Sequence, residues 1–447
     1  MTITFATNVI LLLMIQSQII NNPETHNLKD HTASKKPEVI RGPYLQSGTS
    51  SSIIIRWRTN LPTDSKVLYG LDPEHLEWSI ETDSDTTEHI IKLSGLTAST
   101  KYFYSIGNLK NKLSGRIRDY YFITSPRAPY NEAVRIWVLG DFGTGDPFAK
   151  AVKKGYLKYR KKNHTDLWLM LGDIAYYNGS DEEFQQGLFD DIYDELFRNT
   201  VSWPTVGNHD GRSANSEYQS GPYYDIFSLP VRGEGGGIPS NTEAYYSFDY
   251  GDIHIISLDS EDSDRGIEGK MVQWLINDLN QNKSKWLIVF FHHPPYTKGS
   301  HDSDNERDSG GRMKEMRENI LPILEKHGTD LVLSGHSHAY ERSHRISSHY
   351  GSSENFNTSN IIQLYETESR RSTANYTKSN DHQGTIYVVC GVGCYKPRIG
   401  SLDHPAMAFS SNKHYGSMSI EIQGDKLYAA FINSKGKVKD SFCIVKE

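Results

Sequence analysis

Two textures of hydrophobic spacing divide this chain. Between residues 37 and 128, short apolar runs alternate with polar positions and turn residues: 53–59 (Ile-Ile-Ile-Arg-Trp-Arg-Thr), 66–70, 89–93 and 122–124. Spacing of this kind puts alternate side chains on one face, so each run predicts a half-buried strand. Residues 95–104 read as a turn followed by a strand, with Tyr102 where a tyrosine-corner residue stands. Strands this short, with turns at this spacing over about 90 residues, predict a β-sandwich without a catalytic constellation of its own.

From residue 129 the pattern becomes strand–helix–strand. Apolar runs at 134–139 and 167–171 predict buried strands around a helix at 147–162, and a second helix at 181–199 precedes a short strand at 203–206. Residues 245–259 read as a hairpin around Gly251-Asp252. Residues 270–280 form an amphipathic helix with Met271, Trp274, Leu275 and Leu279 inward. Strands at 286–291 and 331–334 bracket a helix at 312–327, and further strands follow at 386–389 and within 417–446. The stretch 347–383 is polar and weakly patterned, and reads as an elaborated surface loop. This alternation predicts an α/β sandwich domain over 129–447.

The N-terminus carries an apolar run at 9–15, too short to span a bilayer but long enough for a signal peptide over 1–20. Residues 21–36 are polar and aperiodic, and read as a linker. The expectation is an exported protein, secreted or periplasmic, with no membrane span. A net charge of −7 over 447 residues, with no long basic run, argues against a nucleic-acid-binding surface. An anionic substrate would then be attracted by bound metal rather than by the overall field. Three cysteines make no disulfide framework: Cys390 and Cys394 read as buried thiols, though their spacing leaves a bridge open. Nothing in the sequence defines an oligomeric state.

Candidate chemistry lies in five clusters in fixed order: Gly140-Asp141-Phe142-Gly143, Gly172-Asp173-Ile174-Ala175-Tyr176, Gly207-Asn208-His209-Asp210, Phe291-His292 and Gly335-His336-Ser337-His338. Carboxylate, amide, phenol and imidazole donors without a thiol suit Fe(III), Zn, Mn or Fe(II). Each cluster follows an apolar run, so the donors would sit at strand ends, where α/β sheets place their chemistry. Singly, an Asp after a strand more often caps a helix, and a His-x-His pair is commonplace. Five clusters, four with Gly before the first polar residue, point to one site.

These motifs resemble the dinuclear metallophosphoesterases and, within them, the purple acid phosphatases. The first motif is Gly140-Asp141-Phe142-Gly143 rather than Asp-x-His, Tyr176 follows Asp173 by three residues, and the last motif reads Gly335-His336-Ser337-His338-Ala339-Tyr340-Glu341-Arg342. The resemblance runs from about Arg41 to the C-terminus, and makes the N-terminal sandwich fibronectin type III-like. It implies that Asp141, Tyr176 and His338 hold Fe(III) and that Asp173 bridges both ions. Asn208, His292 and His336 would hold a second, divalent metal (Zn, Mn or Fe). Asn208, His209 and His301 would meet the substrate, His209 and His301 as catalytic groups. His293 follows a ligand directly, where chain alternation turns it away, and Asp210 stands where many members have Glu.

The implied function is hydrolysis of small phosphate monoesters at acidic pH, with metal-bound hydroxide attacking phosphorus and a histidine assisting the leaving group. The alternative is a phosphodiesterase or a nucleotide or pyrophosphate hydrolase at the same centre. A binding module on a dead phosphatase fold, or a redox role for two irons, are the readings from other classes. Retention of all seven ligand positions speaks against the dead fold.

Overall fold

The computed structural model describes residues 36–447 except 116, 191, 364–373, 379–382 and 395–399. The predicted signal segment and all but the last residue of the predicted linker lie outside the described residues. Among the described residues no helix is long and apolar enough to cross a membrane.

The N-terminal part is built on one long strand, Ser52–Gly70. Its first half pairs with Val39–Gln46 and with the end of Trp78–Ser94; its second half pairs with the start of Trp78–Ser94 and with Lys101–Gly107. The runs predicted at 53–59 and 66–70 are therefore one strand. Asn60-Leu61-Pro62-Thr63-Asp64 has a turn's composition, yet the chain passes it through register shifts between Arg58, Thr63 and Ser65. An irregular stretch tolerates Pro62, whose missing N–H would interrupt a regular ladder. Ile53, Ile55, Trp57, Val67, Leu93 and Tyr104 are buried, and Trp57 stacks on His89 at 4.6 Å. Thr97 N–H donates to the Tyr102 hydroxyl at 3.0 Å, the corner bond the sequence predicts.

Val134–Leu139, Leu167–Met170 and Val201–Pro204 run parallel, and one pairing, Leu45 with Val201, joins them to the N-terminal strands. On its other side Val134–Leu139 meets the antiparallel strands Gly416–Gln423, Lys426–Asn433 and Val438–Lys446, completing a 13-stranded sheet. A second sheet of 7 strands has a parallel centre: Ile253–Ser257, Trp286–Phe290, Leu331–Ser334 and Ile386–Cys390. These parallel strands are buried on both faces, so they read as unbroken apolar runs. The sheets meet at the strands' C-terminal ends: a methyl group on Gly140 would fall 2.9 Å from the Cys390 carbonyl oxygen.

Helix Pro147–Arg160 begins as its sequence dictates, with Asp146 accepting from the Phe148 and Ala149 amides and Pro147 in the first turn. Arg41 and Arg58 both reach Asp181 (3.0 and 2.5 Å), tying the N-terminal strands to the α/β part.

Three expectations need correction. Residues 181–199 are not one helix: Asp181–Phe184 runs into a widened π-turn at Gln185–Phe189, and Asp194–Phe197 is separate. Gly187 backs onto Gly143, where any Cβ would fall 2.4 Å from the carbonyl oxygen, and the chain must bend to bury Phe189 against Tyr44. The predicted 312–327 helix is interrupted by a π-turn at Met316–Ile320, because Pro322 has no N–H to donate to residue 318 and crowds that carbonyl. The 347–383 stretch is not all loop: Ile361–Gln363 and Ala374–Lys378 are strands, the latter paired with Val438–Lys446, while residues 364–373 and 379–382 lie outside the described residues. All three cysteines are free thiols, so the open question of a Cys390–Cys394 bridge resolves against it.

Candidate functional site

Five parallel strands at the sheet junction are each followed by a polar donor that reaches one cluster. Asp141 follows Val134–Leu139, Asp173 follows Leu167–Met170 and Asn208 follows Val201–Pro204. From the second sheet, His292 follows Trp286–Phe290, and His336 and His338 follow Leu331–Ser334. The preceding glycines are a steric requirement: a Cβ on Gly207 would fall 2.3 Å from Asp173 Oδ1, and one on Gly335 2.5 Å from Asp141 Oδ2. Asp141, Asp173 and His336 themselves adopt left-handed backbone, with φ of 55°, 53° and 64°. Such conformations cost free energy and cluster at functional sites.

The seven predicted ligands form one connected cluster. The Tyr176 hydroxyl donates to Asp173 Oδ2 at 2.9 Å and lies 3.3 Å from Asp141 Oδ1. His338 Nε2 is 3.5 Å from Asp141 Oδ1, and His292 Nε2 is 3.4 Å from Asp173 Oδ1. Asn208 Oδ1 faces His292 Nε2 at 3.0 Å and His336 Nδ1 at 2.8 Å. Leu171 O lies 2.8 Å from His292 Nδ1, and a carbonyl only accepts, so Nδ1 carries the hydrogen and Nε2 points into the cluster.

The electrostatics call for positive charge at this point. Burial would raise the Asp141 carboxyl, but the His338 and His292 rings and the His336 amide hold it below its ordinary value. Burial opposes a charged His292, and the Asp173 and Asp141 carboxylates overcome it. Burial, reinforced by the same carboxylates, pushes the Tyr176 phenol well above 10. A tyrosinate here therefore needs a cation beside it. Carboxylates, an amide oxygen, a phenol and directed imidazoles converging on one point fit a metal centre, and Asp141, Asp173 and His292 lie close enough to share an ion.

The two predicted catalytic histidines lie on the rim. His209 donates a backbone hydrogen bond to Asp173 Oδ1 at 2.9 Å, and its Nδ1 lies 2.7 Å from the Tyr177 carbonyl, so Nδ1 carries the hydrogen and Nε2 lies 4.0 Å from Asp173 Oδ2. His301 stacks on His336, ring centroids 3.9 Å apart, at the site's other edge. His293 is buried with Nδ1 on Ser260 Oγ at 2.9 Å, yet its ring packs 4.5 Å from His336, closer to the centre than strand alternation suggests. Asp210 is buried; its carboxylate accepts from the Ile174, Ala175 and Gly207 amides, each at 2.9 Å, bracing the loops that present Asp173 and Asn208.

Known proteins match at both parts of the chain. The family described as "Purple acid Phosphatase, N-terminal domain" matches residues 41–124, and "Calcineurin-like phosphoesterase" matches residues 134–340. Both matches bear out the resemblance to the purple acid phosphatase family. Purple acid phosphatase 15 of Arabidopsis thaliana is 28% identical over 291 residues, covering 58% of this chain and 50% of that relative's length. Human acid phosphatase type 7 is 27% identical over 337 residues, covering 69% of this chain and 71% of its own. A solved purple acid phosphatase from yellow lupin (Lupinus luteus) seeds superposes with a TM-score of 0.68 at 18% identity, covering 91% of this chain and 74% of that one. The structure thus has the purple acid phosphatase fold, and its residues 134–340 match a phosphoesterase family.

Around this site, sequence reasoning missed Asp308 and Ser309. Asp308 Oδ1 lies 2.8 Å from His301 Nδ1, and Ser309 Oγ lies 2.6 Å from His336 Nε2. Their one signal was local: Ser309-Gly310-Gly311 is a run that takes left-handed backbone, φ 53° at Ser309, inside an otherwise featureless polar loop.

Proposed function

We propose that this chain hydrolyses small phosphate monoesters at acidic pH on a dinuclear Fe(III)–M(II) centre, M being Zn, Mn or Fe. The observation that carries the reading is the convergence of seven donors from two sheets around Asp173. Asp141, Tyr176 and His338 would hold Fe(III), Asn208, His292 and His336 the divalent ion, and Asp173 would serve both. Three anionic oxygens and one imidazole suit a trivalent ion; the amide and two imidazoles suit a divalent one. When bound, the two cations would neutralise phosphoryl charge and acidify a water molecule.

The chain's own residues supply the rest. His292 is oriented by the Leu171 carbonyl, and Asp210 braces the loops of Asp173 and Asn208 through backbone amides. Asn208, His209 and His301 line the side from which a phosphate ester would approach, with His209 and His301 placed to donate to its oxygens. Export through the 1–20 segment, a fibronectin type III-like domain over 37–128 and a catalytic domain over 129–447 belong to the same reading.

The test is turnover of an aryl phosphate monoester beside the matching diester from acidic to alkaline pH, with metal analysis of the same sample. Faster monoester turnover with an acidic optimum and two metals per chain supports the reading. Diester preference or an alkaline optimum would move the function to phosphodiester or nucleotide hydrolysis.

A further inference from the structure

The polar loop between His292 and helix Arg312–Glu315 closes on a single carboxylate. Asp308 Oδ1 takes His301 Nδ1 at 2.8 Å, its Oδ2 accepts the Asp302 amide at 2.9 Å, and Ser309 Oγ donates to Oδ1 at 2.9 Å. The His301 ring lies 25° from parallel on the His336 ring, 3.9 Å between centroids. Thus one edge of His301 is fixed by a hydrogen bond and one face by stacking. A carboxylate only accepts, so Nδ1 carries the hydrogen and Nε2 is directed away from Asp308. Asp308 is 18% exposed and His301 32%, so the pair sits at the wall of the site rather than on the open surface.

The geometry points to Asp308 as the positioning residue that orients His301 Nε2 toward the leaving-group oxygen of a phosphate ester. This deepens the proposed function and rests on its assignment of His301. In the step concerned, a water oxygen bonds to phosphorus, and the P–O bond to the leaving group breaks with its electron pair on the leaving oxygen. A proton passes to that oxygen from Nε2 of the doubly protonated His301 ring, leaving the neutral Nδ1–H form. Asp308 fixes the ring's rotation and keeps the hydrogen on Nδ1 after Nε2 has given up its own. Ser309 extends the restraint to His336 at 2.6 Å, so the loop holds the acid and a proposed ligand in one register.

The bond being protonated dictates the experiment. An alkyl leaving group needs the proton, while a nitrophenolate leaves without much help. Asp308→Ala, Asp308→Asn, His301→Ala and the Asp308→Ala/His301→Ala double variant are compared on an alkyl phosphate and p-nitrophenyl phosphate, with melting temperature and metal content measured on each. The proposal expects Asp308→Ala to lower kcat on the alkyl ester about tenfold or more, with a much smaller loss on the nitrophenyl ester. KM and metal content should hold, and the double variant should be no worse than His301→Ala. Asp308→Asn, which keeps the shape and an acceptor, should fall between wild type and Ala. Equal losses on both esters, or additive losses in the double variant, would overturn Asp308's role while leaving His301's standing. If His301→Ala itself shows no leaving-group dependence, both fail. Loss of bound metal in Asp308→Asn would overturn the proposal in favour of a ligand role, since His301, Asp308 and His336 also lie close enough to share an ion.

Discussion

Tyr176 and Asp173 share a hydrogen at 2.9 Å, and the same phenol lies 3.3 Å from Asp141, so one ring links the carboxylates that end two neighbouring parallel strands. Tyr176 is 6% exposed and its phenol is pushed well above 10 by burial and by those carboxylates. Its deprotonation is therefore expected only beside a strongly positive ion. Tyr176→Phe should keep the fold and lose the visible absorption of iron-loaded protein. A band that persists would remove Tyr176 from the iron.

Asp173 touches Tyr176, His292 and the His209 amide, and so joins the donors of both sheets. Asp173→Asn removes charge without changing shape. Both metals should deplete, and activity should fall beyond the roughly 10–100-fold typical of an outer partner of a ligand. Full occupancy by elemental analysis would refute a shared ligand.

Far from the cavity, His254 lies between Asp249 (2.6 Å) and Asp278 (2.7 Å). Burial works against its charge, but the two carboxylates prevail and raise it from 6.5 to about 9. A raised pKa means the folded state holds the proton more tightly. The contribution is thus complete below pH 6.5 and lost as pH rises through about 9. Urea unfolding should show wild type losing on the order of 2–3 kcal/mol more than His254→Gln across that window. Parallel pH profiles for the two would exclude the effect.

Asp181 accepts from Arg41 and Arg58, and Arg41, fully buried, also donates to Gln185 Oε1 at 2.8 Å. Asp181→Ala leaves a buried guanidinium short of a partner. It should cost about 1–3 kcal/mol, read as a lower melting temperature with kcat largely kept. An unchanged melting temperature would show that Gln185 suffices.

The site was legible because burial and geometry wrote it locally. Strands buried on both faces need unbroken apolar runs, and close approach at Gly207 and Gly335 excludes any side chain, so donors follow glycines. What stayed hidden depends on contacts between distant segments. Nothing near Gly187 announces the Gly143 carbonyl that bends the chain there. Residues 60–64 look like a turn, and only pairing with Trp78–Ser94 draws them into a strand. Asp308 resembles every other acid in its loop until His301 is seen beside it. Strand alternation turns His293 away in the sequence, but that rule no longer holds once the strand has ended at Phe290.

The division of donors between the sheets bears on how such a centre acquires its ions. Every oxygen donor (Asp141, Asp173, Tyr176 and Asn208) belongs to the larger sheet, and every imidazole (His292, His336 and His338) to the smaller. On the proposed ligand assignment, a chain synthesised only as far as residue 210 would carry an all-oxygen half-site, the kind that favours hard ions. On the same assignment the imidazoles that suit zinc or iron(II) would arrive only with the second sheet, so the choice of the divalent metal would be settled by the docking of two halves.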